Sequence, residues 1–159
     1  MKPTTQQGFS LIELLIVVAL VGILSAIAIP NFLASRRAAN EASAQSSLRT
    51  IHTCEATFHA TVGIGDYADL TTLASHTLTD VVLGSGSKSG YSFEVHPTRP
   101  GVRPALFYST ATPLSTTGPA KSGSRRFGMT EDGIMHGDAV SLVPYADHDE
   151  VRAAPALGN

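Results

Sequence analysis

The sequence is short of cysteine, aromatic residues and charge, and each shortage argues against a class of protein. Cys54 is the only cysteine in 159 residues, so an intramolecular disulfide is excluded. Aromatic residues make up 6% of the chain and tryptophan is absent, so we expect the phenylalanines to serve in core packing and not in a specialised function. Only 11 residues are lysine or arginine, and they are scattered, which argues against a nucleic-acid-binding surface.

Motifs that would indicate catalysis or a cofactor are also missing. The serines and histidines fit no nucleophile motif, so nothing supports a hydrolase. The glycine-rich residues 84–90, GSGSKSG, lack the spacing of a phosphate-binding loop and the helix that should follow it. His52, Glu55 and His59 share one side of a predicted helix and offer ligands to a metal, but a polar flank beside an apolar stripe is the favoured interpretation. We therefore expect no catalytic residue, no cofactor and no metal.

One long apolar run dominates the N-terminal part of the chain. Residues 14–35 are 22 uncharged residues, mostly leucine, isoleucine, valine and alanine. As an α-helix rising about 1.5 Å per residue, this run spans the roughly 30 Å hydrocarbon core of a bilayer. Glu13 lies directly before this run, where placing an ionised carboxylate in the membrane costs free energy. A carboxylate kept at this position requires a cation delivered to the same apolar depth.

The residues before the run suggest the source of that cation. Residues 1–8, MKPTTQQG, form a short polar leader with one positive side chain, Lys2. Cleavage between Gly8 and Phe9 would keep the apolar run on the mature protein, unlike an ordinary secretory signal, and would create an amine on Phe9. That amine is four residues from Glu13, on the same helix face. The amine of one subunit would then neutralise the carboxylate of the next and set the stagger between packed helices.

Two other interpretations of the N-terminus remain open. Residues 26–28 form an A-x-A pattern after an apolar stretch of signal-peptide length, so a conventional signal peptide is one alternative and an uncleaved anchor is the other. Glu13 inside the apolar stretch, the thin positive region and Pro30 just after the A-x-A pattern argue against the signal peptide. Arg36 and Arg37 outnumber Lys2 across the run, which weakly opposes a cytoplasmic N-terminus.

The same residues carry a resemblance to a known family. Residues 8–14, Gly-Phe-Ser-Leu-Ile-Glu-Leu, follow the order glycine, phenylalanine, threonine or serine, leucine, isoleucine or valine, glutamate, leucine. In this order, and in Pro30 near the end of the apolar run, the chain resembles type IV pilins and the related pseudopilins. The resemblance is specific over residues 8–37 and outweighs the count of positive charges.

The resemblance implies a function. It implies cleavage after Gly8 by a prepilin peptidase, N-methylation of Phe9, and assembly from the inner membrane into an extracellular helical filament with the N-terminal helices at its centre. Other copies of the chain, the peptidase, and the pilus assembly platform with its ATPases would be the partners. A pseudopilin of a type II secretion system and a membrane-anchored binding domain that never polymerises are the alternatives to a pilin.

Three details of the chain bear on the family pattern. Many members of the family have a disulfide in the C-terminal region. This chain has a single cysteine, so its stability must come from packing or from subunit contacts. Residues 147–150, Asp-His-Asp-Glu, could bind calcium, as the C-terminal region does in some secretion pseudopilins, although a solvated acidic tail is favoured. Gly22 and Pro30 weaken the apolar helix, so we expect a kink near Pro30. In related filaments such a stretch loses helicity on assembly, and an ordinary proline kink is the alternative.

Beyond Pro30 the pattern predicts an α+β domain, the pilin fold. Apolar side chains recur at helical spacing to form one stripe: Ala44, Leu48, Ile51, Phe58 and Val62. Alternation and turn signals predict strands at 91–96, 105–111, 126–130 and 134–136. The predicted parts are a leader (1–8), an apolar helix (9–35), its amphipathic continuation (36–62), a connecting region (63–90), an antiparallel sheet of three or four strands (91–143) and an exposed acidic tail (144–159).

Overall fold

The chain divides into two compact units, Met1–Ser35 and Arg36–Asn159. The structure, a computed structural model, describes residues 8–98, 104–139 and 141–157. The first helix, α1 (Leu11–Ala60), begins in the first unit and ends in the second. Residues 1–7 of the leader, including Lys2, lie outside the described residues.

In the first unit, α1 is an exposed apolar helix. Its most apolar 18-residue window has a mean hydropathy of 2.8, and none of that window is buried. Most large side chains along it are more than half exposed, such as Leu14 at 60% and Ile23 at 62%. By length and composition the helix is able to cross a membrane. Helical structure continues through Gly22 and Pro30, and a kink there stays a prediction.

In the second unit, α1 presents an apolar stripe to the core. The predicted stripe residues Ala44, Leu48, Ile51 and Phe58 are all buried, as their helical spacing requires. Val62 is 49% exposed, so its place in the stripe was wrongly predicted. The reason is that the helix ends at Ala60 and the Gly63 N–H folds back to the Phe58 carbonyl at 2.7 Å, which turns Val62 away from the core.

Two short helices follow α1. They are α2 (Leu70–Ser75) and α3 (Val81–Gly84). Each begins at an aspartate N-cap: Asp69 accepts the N–H of Thr72 at 2.8 Å, and Asp80 accepts that of Leu83 at 2.6 Å. These caps satisfy backbone donors that such short helices would otherwise leave free.

The sheet has five antiparallel strands in the sequential order β1-β2-β3-β4-β5. They are β1 (Ser87–Lys88), β2 (Tyr91–Pro97), β3 (Phe107–Pro113), β4 (Arg126–Thr130) and β5 (Met135–Asp138). The α+β prediction is confirmed, with five strands where three or four were expected. The additional strand, β1, pairs with β2 through a two-residue turn in which Ser89 (φ 50°) and Gly90 (φ 76°) take the left-handed backbone such hairpins need.

One face of the sheet packs on α1. Alternate strand residues point to the same face, so the apolar residues of the strands meet the helix stripe. The resulting core contains Ala44, Leu48 and Ile51 of α1 with Tyr91, Phe93, Val95, Phe107, Ala111, Phe127, Met129 and Met135 of the sheet.

The opposite face of β4 is covered by the C-terminal segment. This segment contains α4 (His148–Ala153), and Tyr145 and Val151 are 2% and 0% exposed. A Cβ added at Gly128 would lie 2.8 Å from Val151 and 3.0 Å from Tyr145, so glycine makes room for both. The prediction of an exposed acidic tail is therefore wrong for these residues. Beyond α4 the chain pairs with β5, where the Leu157 N–H donates to the Met135 carbonyl at 2.8 Å.

Candidate functional site

The predicted processing site lies in an open segment before α1. Phe9 is 83% exposed, and a Cβ added at Gly8 would meet no atom within 4 Å. The N–H groups of Glu13 and Leu14 both donate to the Ser10 carbonyl, at 3.1 and 3.2 Å, which starts the helix just after the Gly8–Phe9 bond. The bond is therefore accessible from solvent, as an enzyme that cleaves it would require.

Glu13 is an exposed carboxylate in the first turn of α1. Its neighbours along the chain are apolar and exposed, with Ile12 at 65% and Leu15 at 57%. Within the described part of the chain, no cation pairs with Glu13. The helix N-terminus favours its charge in water, but a bilayer or an apolar interface would not, because the group would be desolvated without a partner. The segment can therefore hold a cation brought by another molecule.

The polar side chains predicted to flank the stripe on α1 have separate roles. The His52 Nε2 atom lies 3.2 Å from the Glu131 carbonyl oxygen, and the His59 ring stacks on Tyr67 at 4.7 Å. Glu55 is fully buried and accepts the Ala68 N–H at 3.0 Å, and burial raises its pKa to about 7. In the part of the chain that the structure describes, no group of three histidine, cysteine, aspartate or glutamate side chains is placed to hold a metal.

The acidic residues near the C-terminus also have protein partners. Asp147 caps α4 by accepting the Glu150 N–H at 2.8 Å. The His148 Nε2 atom lies 2.8 Å from a carboxylate oxygen of Glu131, in the turn between β4 and β5. The His148 contact ties α4 to the β4–β5 turn, and the cap occupies one Asp147 oxygen that a calcium site would need.

Arg126 connects the C-terminal segment to the sheet. The sequence patterns did not predict this role. The Arg126 guanidinium donates to the Val143 carbonyl at 2.9 Å, to Asp138 at 3.2 Å and to Glu150 at 2.9 Å. The guanidinium carbon also lies 3.8 Å from the centre of the Tyr145 ring. We name this set the Arg126 clamp. It joins β4, β5 and the residues around α4 without a disulfide.

A second ion pair ties α1 to the loop before β4. Glu41 accepts the Arg125 Nε–H at 2.9 Å and the Ser124 N–H at 2.8 Å. Glu41 is 9% exposed, so its carboxylate is compensated inside the fold. Glu13, the first acidic residue of α1, is instead exposed.

Comparison with protein families finds a match at the N-terminus. Residues 3–29 match the family model described as the prokaryotic N-terminal methylation motif. The match contains Gly8, Phe9 and Glu13, as well as the apolar run up to Ile29.

Curated relatives match the same end of the chain. The type IV major pilin protein PilA of Myxococcus xanthus is 46% identical over 52 residues, which cover 33% of this chain and 24% of that protein. The type IV wide pilus major component PilA4 of Thermus thermophilus is 60% identical over 35 residues (22% of this chain, 27% of that protein). The type IV major fimbrial protein FimA of Dichelobacter nodosus is 51% identical over 53 residues (31% and 34%).

The matched segments thus span only about a quarter to a third of the relatives' length, in the 24% to 34% range. No solved structure matches the chain. The motif and the named relatives together support the type IV pilin family for this sequence, on the strength of its N-terminal segment.

Proposed function

We propose that this chain is the pilin of a type IV pilus, a structural subunit with no catalysis of its own. A prepilin peptidase cleaves the precursor in the inner membrane between Gly8 and Phe9 and methylates the new Phe9 amine. The assembly platform and its ATPases then add the subunit to an extracellular helical filament. The observation that carries the proposal is Glu13, a carboxylate without a cationic partner among the described residues, inside the matched methylation motif.

Assembly pairs the Phe9 amine of one subunit with Glu13 of its neighbour. In water such an exposed pair contributes about 1 kcal/mol or less, but between apolar helices each charge would otherwise be buried alone. The pairing is therefore selective, because an incoming helix at another depth leaves both charges uncompensated. The large exposed side chains of the first unit supply the packing energy, and Gly22, with no atom within 4 Å of an added Cβ, allows close approach.

The solvent face of α1 in the second unit supports helix packing. It carries small side chains, and threonine hydroxyls on it donate to carbonyls four residues earlier: Thr50 at 3.1 Å, Thr53 at 3.0 Å and Thr57 at 2.9 Å. Because these hydroxyls already donate within the helix, burying them in a helix contact leaves no hydroxyl donor unsatisfied. The sheet and its loops would form the outer surface of the filament.

Replacement of Glu13 by alanine tests the pairing. We expect Glu13→Ala to abolish filaments while the precursor is still cleaved at Phe9, because cleavage precedes pairing. The measurements are electron microscopy of sheared surface material and the mass of the N-terminal peptide from membranes. Filaments at the wild-type yield would contradict the role of Glu13.

Glu13→Asp is the matched control. It keeps the charge on a side chain one methylene shorter, so we expect an intermediate filament yield with normal processing. A yield as low as that of Glu13→Ala, with both proteins processed, would show that charge alone does not place the subunit. Loss of processing in either variant would move the role of Glu13 from assembly to recognition by the peptidase.

A further inference from the structure

Glu55 is a buried carboxylic acid that the proposed assembly does not use. Its side chain is 0% exposed at the core side of α1. Oε2 accepts the Ala68 N–H at 3.0 Å, whereas Oε1 has no hydrogen-bond partner among the described residues. A buried carboxyl with one unsatisfied oxygen is costly when neutral and far more costly when ionised.

The groups around Glu55 do not compensate a negative charge. Asp69, the N-cap of α2, accepts hydrogen bonds from Thr72 and, to a smaller extent, Thr71 that hold its own pKa below the usual range, so it stays anionic and repels Glu55. Burial and then Asp69 raise the pKa of Glu55, and the Ala68 hydrogen bond offsets only part of that rise.

Other titratable groups face this region from each packed element, and no lysine or arginine of the described residues pairs with Glu55. Cys54 and Tyr67 have pKa values raised mainly by burial, and the charge of Glu55 adds to both effects. The remaining groups on the helices are His52 and His59 on α1, His76 at the end of α2, and Asp80 at the start of α3, near Cys54. Asp66, between α1 and α2, has an interaction of its own, and Glu131 lies in the β4–β5 turn, near Tyr67.

The Ala68 hydrogen bond joins two elements of the fold. Residues 61–69, which we name the connecting segment, run from the end of α1 to α2. The Tyr67 ring contacts His59 at 4.7 Å and Phe107 at 4.6 Å. Ala68 is 5% exposed and packs with Cys54, Phe58 and Leu73. The segment therefore covers Glu55 and packs beside Cys54, whose thiol also donates to the Leu78 carbonyl at 2.8 Å.

We propose that the connecting segment is a pH-sensitive latch, closed on α1 while Glu55 is neutral and opened by the ionisation of Glu55. An ionised Glu55 must be hydrated. Leu48 and Ile51, on the same helix, are buried in the core and hold α1 in place, so α1 does not move aside to let water in. The connecting segment, which lacks helix or strand from Gly63 to Asp69, is the part that can separate. The latch belongs to the second unit and does not depend on filament assembly.

The sign of the pH effect follows from proton linkage. The pKa of Glu55 is raised from 4.5 to about 7 in the closed form and returns toward 4.5 when water reaches it. The closed form therefore holds a proton that the open form releases between these values. Closure is strongest at low pH, weakens by about tenfold per pH unit between about pH 5 and about pH 7, and is constant above that range.

Opening can be measured on the full chain in detergent micelles between about pH 5 and about pH 8. Two observables report it: hydrogen exchange of the Ala68 amide, corrected for the intrinsic exchange rate, and labelling of Cys54 with a disulfide reagent that reacts at acidic pH, corrected with a model thiol. Glu55→Gln is the matched variant, since it keeps an acceptor for Ala68 and the shape of the neutral acid but cannot ionise.

The opening constant is the ratio of open to closed connecting segment that these observables report. We expect its wild-type value, divided by that of Glu55→Gln, to rise about tenfold per pH unit up to about pH 7 and then level off. Asp69→Asn keeps the helix cap but removes the repulsion, so its plateau should begin at lower pH than that of the wild type. This second variant gives the same test if Glu55→Gln does not fold. A wild-type opening constant independent of pH, or an equal rise in Glu55→Gln, would overturn the proposal.

Discussion

Replacing Arg126 with methionine should release the C-terminal segment from the sheet. The arginine is 6% exposed, and its guanidinium contacts β5 through Asp138, α4 through Glu150 and the intervening loop through Val143 and Tyr145. Methionine fills most of the same space but supplies neither donors nor charge, so the substitution isolates the polar contacts from the loss of volume.

The expected loss of stability is about 3 kcal/mol. A hydrogen bond to a charged group contributes about 1.5–3 kcal/mol, and breaking a buried ion pair costs about 3–5 kcal/mol. The Asp138 and Glu150 side chains are 18% and 39% exposed, so water can solvate them after the change and the lower end of that range applies. For a unit of this size, 3 kcal/mol corresponds to a Tm lower by roughly 12 °C.

Thermal unfolding of the full chain in detergent, followed by circular dichroism, measures the Tm, and hydrogen exchange locates the change. We expect amides of α4 and of the residues paired with β5 to lose protection before those of α1 beneath the sheet. Arg152→Met is the matched control, because Arg152 lies on α4 but is 54% exposed and 3.9 Å from Asp132. A surface pair of this kind contributes about 0–1 kcal/mol. A Tm for Arg126→Met equal to that of Arg152→Met would refute the clamp.

Two further predictions concern the core and a turn. Leu48→Ala removes a side chain that is 0% exposed and should cost about 3 kcal/mol in thermal unfolding, whereas Leu24→Ala, at 67% exposure, should cost far less; equal losses would contradict the assigned core. Gly133→Ala forces a side chain onto a backbone with φ 74° and places its Cβ 3.3 Å from His52, so it should lower stability by about 1–2 kcal/mol. Gly118→Ala has a similar φ of 76° with nothing within 4 Å, so it should cost less, and an equal or larger cost would contradict the contact with His52.

The sequence predicted the parts of the fold that repeat locally. The alternation of Tyr91, Phe93 and Val95 predicted β2, because one face of that strand meets the core. The helical stripe on α1 was visible for the same reason. The open segment at Gly8 and the exposed carboxylate of Glu13 could be inferred from the local sequence, since neither depends on contacts with distant residues.

The parts that escaped prediction depend on contacts between distant residues. The exposed acidic tail was predicted from the charges of residues 147–150, but Tyr145 and Val151 are buried because Gly128, on another strand, leaves room for them. Arg126 and Glu150 are 24 positions apart, and Glu41 and Arg125 are 84 apart. No periodic pattern marks such pairs. The burial of Glu55 could have been suspected, because it lies one turn from Ile51 on the buried side of the helix.

The N-terminal peptide offers the most direct test of the central proposal, that this chain is a processed and polymerised pilin. It should be analysed by mass spectrometry in parallel from sheared cell-surface material and from membranes. We predict that N-methylated Phe9 is the N-terminus in both fractions and is abundant in the sheared material. The same terminus confined to membranes would contradict a surface pilus and favour a secretion pseudopilin, and a terminus at Met1 or Ile29 would contradict the processing of the chain as a prepilin.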